Sequence, residues 1–191
     1  MSKGTTNYFE VHGVIEWAKV FEQNRDKEGY KGAYLDTDGA CTVDMLLDDN
    51  NVEILRKAGT AKNLDDKRKD TPNGYRVRLV RKFFNEAFPS LGGAPKVAHP
   101  DGTPWDLEMD GFIGNGSTGV AYGHVYLPDD GSPATTRLDG LQVIDHVVFE
   151  SEGGGNIGGG PRFKDYSKKS DQKKSEPKVK PQVRDDDEIP F

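Results

Sequence analysis

The sequence predicts a mainly β domain, a small barrel or sandwich with one short helix, followed by a disordered C-terminal tail. Three observations carry this. Short apolar runs with strand alternation are separated by Gly-, Pro- and Asp-rich turns. One stretch alone carries both helix start and stop signals. A composition break at Ser151 ends the aliphatic-rich part of the chain.

Val14–Phe21 and Ala40–Leu47 read as strands, the second with Cys41, Val43, Met45 and Leu47 on one face. Asp49–Ala58 reads as the helix. Asp48 or Asp49 stands at its cap, Val52, Leu55 and Ala58 have helical spacing, Arg56 and Lys57 close it, and Gly59 stops it. Tyr75–Phe84, Gly119–Leu127 and Leu141–Phe149 are the clearest strands, with PDGTPW and PDDGSP as turns. Val80, Phe83, Phe84, Ala87 and Phe88 also fit a helix ending before Pro89. The strict alternation of Tyr-Arg-Val-Arg-Leu-Val favours a strand through Phe84. Residues 1–152 are thus expected to form the domain. Beyond them GGGNIGGG opens a Gly-rich, then Lys-, Ser- and Pro-rich linker over 153–184, too poor in apolar residues to offset its conformational entropy.

The chain has 191 residues and one cysteine, Cys41, so no intrachain disulfide can form. No apolar run approaches the ~20 residues of a membrane helix, and the N-terminus lacks the apolar stretch of a secretory signal. A soluble protein of the cytoplasm is expected. The net charge is −6, but it is blocked: residues 56–82 hold ten Lys/Arg against three Asp/Glu, while 83–152 hold two against eleven. A basic patch on an acidic body fits a polyanionic partner.

On Tyr75–Phe84, alternation puts Arg76, Arg78, Lys82 and Phe84 opposite Tyr75, Val77, Leu79 and Phe83. On Gly119–Leu127, Ala121, Val125 and Leu127 can face a core, leaving Tyr122, His124 and Tyr126 outside. Aromatic rings on a polar face suit base stacking, worth about 1–3 kcal/mol per base whatever its identity. Cations on a neighbouring strand would neutralise phosphates. Cross-strand tyrosine pairs without a ligand are the alternative. Trp17 and Lys19 repeat the aromatic-plus-lysine pattern, although Trp17 also suits a core, and Lys31 adds a further cation.

Catalytic and cofactor motifs fail on context. Gly114–Gly119 has dinucleotide-fingerprint spacing, but a β-patterned stretch follows it instead of a helix, so a tight glycine turn is the better reading. Asp36-Thr-Asp38-Gly39 lacks the later ligands of a calcium loop. His12, His99, His124 and His146 have no cysteine partner at zinc spacing. Asp101, Asp106, Glu108 and Asp110 sit among turns and read as solvated loops rather than a two-metal centre. No catalytic residue, metal or cofactor is expected.

The chain ends Asp185-Asp186-Asp187-Glu188-Ile189-Pro190-Phe191: four carboxylates before a hydrophobic hook that carries the α-carboxylate. This suits a partner's apolar pocket rimmed by Lys/Arg. The tip resembles that of bacterial single-stranded DNA-binding proteins. The body resembles the phage replication ssDNA-binding proteins, the OB-fold group of T-seven-like phages. The resemblance runs through Trp17–Phe21, Cys41–Leu47, Tyr75–Phe84, Ala94–Val97 with Asp101–Trp105, Gly111–Gly119 and Leu141–Phe149. It implies a five-stranded OB barrel, sequence-tolerant ssDNA binding without catalysis, a homodimer in several members, and a tip that recruits polymerase, helicase-primase or nuclease. The basic linker departs from the long acidic tail of many members. An OB-like adaptor binding only protein is the second class of function, and a metal-dependent enzyme the third.

Overall fold

A computed structural model describes residues 4–65 and 74–149. The expectations for the 153–184 linker and the 185–191 tip, and the part of the basic segment at 66–73, lie outside the described residues.

Alternation builds β1 (Gly4–Lys19): Phe9, Val11 and Ile15 are buried, while Tyr8, Glu10 and His12 stay outside. The strand expected at Val14–Phe21 therefore begins at Gly4 and ends at Lys19. Gly13 is not a strand break. A Cβ there would strike the Leu46 carbonyl oxygen, so glycine is what allows β1 to lie close to its neighbour. β2 (Ala40–Leu47) and α1 (Asp49–Ala58) keep their expected bounds. The Asp48 carboxylate accepts the Asn51 N–H at 2.8 Å, Gly59 closes the helix at φ 88°, and Val52, Leu55 and Ala58 enter the core.

β3 (Tyr75–Lys82) ends two residues before Phe84. No helix follows over 80–88. The Phe83 and Phe84 N–H groups donate instead to the Gly39 and Thr37 carbonyls, extending the contact with the β1–β2 loop. β5 (Ser117–Pro128) contains the expected strand, whereas β6 spans Thr135–Asp145 rather than Leu141–Phe149. Val148 only bridges Ile113, and Val147, Val148 and Phe149 remain about half exposed. Two elements escaped the sequence reading. β4 (Lys96–Ala98) is a three-residue strand parallel to β6, and α2 (Leu107–Asp110) is a single turn capped by Asp106, so the helix is not alone.

The sheet order is β3-β2-β1-β5-β6-β4. β1 is long enough to pair with β5 along Gly4–Ile15 and with β2 along Val14–Lys19. This wraps the sheet around Ile15, Met45, Leu47, Leu79, Leu138 and Leu141, all essentially fully buried. Burial of each such side chain stabilises by about 1.5–3 kcal/mol. β3 and β6 meet without a backbone ladder. Arg81 spans the seam, its Nη1 3.4 Å from Asp139 and 3.5 Å from the Leu138 carbonyl, while Nε and Nη2 hold the Gly93 and Gly92 carbonyls. Strands β1, β2, β3, β5 and β6 thus form the partly open five-stranded barrel of an OB fold.

Candidate nucleic-acid interface

The outward residues of β1, β2 and β3 form ladder rows. Glu16 pairs with Asp44 and Asp44 with Arg78; Leu46 lies beside Arg76, and Ala40 beside Lys82. Asp44 is the hub. Its Oδ1 accepts Arg78 Nε at 2.6 Å, while its Oδ2 accepts Arg78 Nη2 at 2.9 Å and pairs with Arg76 Nε at 3.0 Å. The carboxylate is 1% exposed, but the two arginine side chains remain 49% and 36% exposed. One buried anion therefore orients two guanidinium groups whose outer edges face water. Hydrogen bonding to Asp44 also raises the Arg78 pKa.

Two segments border this face. After α1, Lys62, Asn63 and Asp65 join Arg76 and Arg78 around an open groove of about 600 Å³. Burial, then repulsion from Arg78, lowers the Lys62 pKa, with Asp44 partly offsetting both. A cation held beside a cation is an arrangement that a phosphate would relieve. On the other side lies the β1–β2 loop with its short 3-10 turns at Tyr30–Gly32 and Leu35–Thr37. Tyr30 is 82% exposed, with the Lys31 ammonium 5.2 Å from its ring centre. Burial raises the Tyr34 pKa, and its hydroxyl lies within the fields of Arg78, Asp26 and Asp44. Lys82 and Phe84 are exposed where β3 leaves the sheet.

β1 contributes Trp17 and Lys19. The register with β2 slips between Glu16 and Lys19, and Trp17 adopts φ 49°. The left-handed region costs a bulky residue on the order of 1–3 kcal/mol. Asn115 Oδ1 helps hold it there by accepting the Trp17 N–H at 2.7 Å. The bulge leaves Ala18 buried and the indole exposed, so Trp17 is not a core residue. Lys19 lies 3.9 Å from Asp26.

The structure therefore brings Trp17, Lys19, Arg76, Arg78 and Lys82 to the β1, β2 and β3 strands on one side of the barrel, with Phe84 at its margin and Lys31 on the β1–β2 loop. It does not add Tyr122, His124 and Tyr126. These three are outward on β5 as alternation expects, but β5 does not neighbour β3. β1 and β2 lie between them in the sheet, and β6 lies between them around the seam. Their side chains also have local partners: Tyr122 donates to Gln142 at 3.0 Å, His124 Nδ1 lies 2.6 Å from Asp139, and the Tyr126 ring lies over Gly4. The Tyr8 ring tilts against His124, with centres 5.9 Å apart. Sequence reading passed over Tyr30, Tyr34, Lys62 and Asp44. The run Gly-Tyr-Lys-Gly-Ala-Tyr at 29–34 was a visible signal for the first two; nothing local marks Asp44 as the partner of residues 32 and 34 positions away.

The chain is structurally similar to a single-stranded DNA-binding protein from bacteriophage Enc34 (TM-score 0.47, 10% identity, 76% of this chain and 85% of that one). It is also similar to gp2.5, a single-stranded DNA-binding protein encoded by bacteriophage T7 (TM-score 0.45, 12% identity, 77% and 91%). A third neighbour is the Enc34 protein in complex with ssDNA (TM-score 0.45, 11% identity, 76% and 89%). These structural neighbours are phage single-stranded DNA-binding proteins. No protein-family model matches the chain, and no curated protein matches it. With identities near a tenth, what this face binds has to come from its own side chains.

Proposed function

We propose that this chain binds single-stranded DNA across the outer face of β1, β2 and β3, without catalysis and with little sequence preference. The observation that carries the reading is the joint presence, on the face that OB folds use for oligonucleotides, of exposed rings at Trp17 and Tyr30 and of cations at Lys19, Lys31, Lys62, Arg76, Arg78 and Lys82. Rings stack on any base, and cations release counterions from any phosphate. Neither reads sequence. Asp44 neutralises part of the arginine charge, which favours a strand that can be bound and released over one held irreversibly.

The C-terminal tip, Asp185 to Phe191, is assigned to recruitment of replication or recombination enzymes such as a polymerase, helicase-primase or nuclease. Its support is the sequence of the tip: acidic residues for a basic rim and a terminal phenylalanine for an apolar pocket. A homodimer, implied by the resemblance alone, is part of the same reading. Titration with oligo-dT, followed by tryptophan fluorescence, tests DNA binding. Salt-sensitive quenching supports it. No response at low salt refutes it in favour of a protein-only adaptor.

A further inference from the structure

We propose that the pocket beside Trp17 captures one unstacked nucleobase of the bound strand, so that this base is enclosed while its neighbours lie on the open face. The inference rests on the ssDNA reading above and adds a base subsite to it. The pocket has a volume of about 280 Å³ and is lined by Trp17, Lys19, Phe112, Ile113, Asn115 and Phe149. That is just under the roughly 300–1,000 Å³ typical of ligand pockets, and it suits a single ring system.

Four observations point to a base. First, the walls are aromatic and flat-faced, with Trp17 59% and Phe149 53% exposed although each lines a concavity. Second, Trp17 is, among the described residues, the only one inside a strand with a left-handed φ and a side chain. Strain maintained at an exposed aromatic is expected where a ligand uses the resulting orientation. Third, the opposite wall is built to stay put. Phe149 N–H donates to the Phe112 carbonyl, Gly114 N–H to the Val147 carbonyl, and Val148 bridges Ile113. Fourth, the pocket is continuous with the cationic face. Lys19 belongs to both, and Trp17 lies in the bulge beside Glu16, whose row runs through Asp44 to Arg78. Two strand spacings, about 10 Å, separate that edge from the arginines. A strand whose phosphates meet Arg76 and Arg78 can therefore present a base to Trp17. The Asn115 amide, whose oxygen already accepts the Trp17 N–H, has its NH2 as a donor for a base carbonyl.

The test uses the full chain, its Phe149→Ala variant and two probes: oligo-dT and an oligomer of equal length built from abasic sites. Phe149 is half exposed and lies outside the ladder rows that carry Arg76, Arg78 and Lys82, so its removal opens the pocket and leaves those cations in place. Phe149→Ala is expected to weaken oligo-dT binding about 5-fold or more, within the range of one lost stack, and to leave the abasic oligomer unchanged. In a Trp105→Phe background, where Trp17 is the sole tryptophan, oligo-dT is expected to shield Trp17 from acrylamide. If Phe149→Ala binds both probes like the parent, or loses both equally, base capture is overturned; so it is if Trp17 stays open to acrylamide in the complex. The parent's oligo-dT affinity is read in the same experiment, so failure of DNA binding as a whole is distinguished from failure of the pocket.

Discussion

Replacing Asp44 with asparagine separates what the hub does for the fold from what it does for the ligand. The side chain keeps its shape but loses the charge that receives Arg78 through two hydrogen bonds and Arg76 through one ion pair. Removing one partner of a fully buried pair costs about 3–5 kcal/mol. Here both arginines are more than a third exposed, so water reclaims them and the loss lies nearer the exposed-pair scale, up to ~1 kcal/mol for each. The sum, about 1–2 kcal/mol, lowers the melting temperature by roughly 2–8 °C for a domain of this size. Toward DNA the sign reverses, because the face gains one net positive charge. If that charge meets one more phosphate, the slope of log affinity against log salt steepens by about 0.7. Asp44→Asn should therefore bind oligo-dT more tightly than the parent at 50 mM KCl. About 2- to 3-fold of that advantage should be lost by 200 mM. Polarisation titrations of labelled oligo-dT over a KCl series, with thermal melts alongside, measure both. A variant that melts lower but binds more weakly at every salt, with an unchanged slope, would refute the view that Asp44 withholds charge from the ligand.

Lys62→Met should stabilise the domain at neutral pH and weaken oligo-dT binding. Because the folded pKa of Lys62 lies below its ordinary 10.5, the parent carries the full penalty at low pH and gains stability as pH rises from that folded pKa toward 10.5. Urea melts of the variant should lack this rise. Phosphate contact favours the ammonium, so the parent's DNA affinity should fall across the same alkaline window while the variant's stays flat. Tyr122→Ala should leave oligo-dT affinity within about twofold; a loss of about 1–3 kcal/mol would show instead that the strand continues round the barrel onto β5. Phe191→Ala should leave oligo-dT affinity unchanged and, on the proposed recruitment role, abolish co-sedimentation with the recruited enzyme, since the ring and not the carboxylates is altered.

How legible each part was depended on how local its cause is. α1 was readable to the residue because Asp48 and Gly59 act through their own backbone neighbours. The outward set of β3 followed from alternation, which needs only the strand itself. The first part of β1 also alternates, through Phe9, Val11 and Ile15, although the strand expectation began only at Val14; the role of Gly13 within it is visible only when β2 is placed against it. β6 was misplaced toward Leu141–Phe149 because His-Val-Val-Phe is apolar. Those residues follow the end of β6 at Asp145, and only Phe149 among them lines the Trp17 pocket. The candidate site needed the sheet order. Alternation identified both the basic and the tyrosine faces, but no feature of either strand reveals that two others lie between them. The Trp17 bulge was equally hidden, since its support comes from Asn115, almost a hundred residues later.

The seam between β3 and β6 gives salt two very different grips on this molecule. Arg76, Arg78, Lys19 and Lys82 of the outer face reach water, where ions of a physiological buffer screen them beyond about 8 Å. Arg81 is 12% exposed and Asp139 34%, and Arg81 is also fastened to two carbonyls of the 92–93 segment. The charges that close the barrel are thus sheltered from the ions that compete for the charges outside. If the outer face binds ssDNA as proposed, raising salt should release the strand well before it loosens the seam.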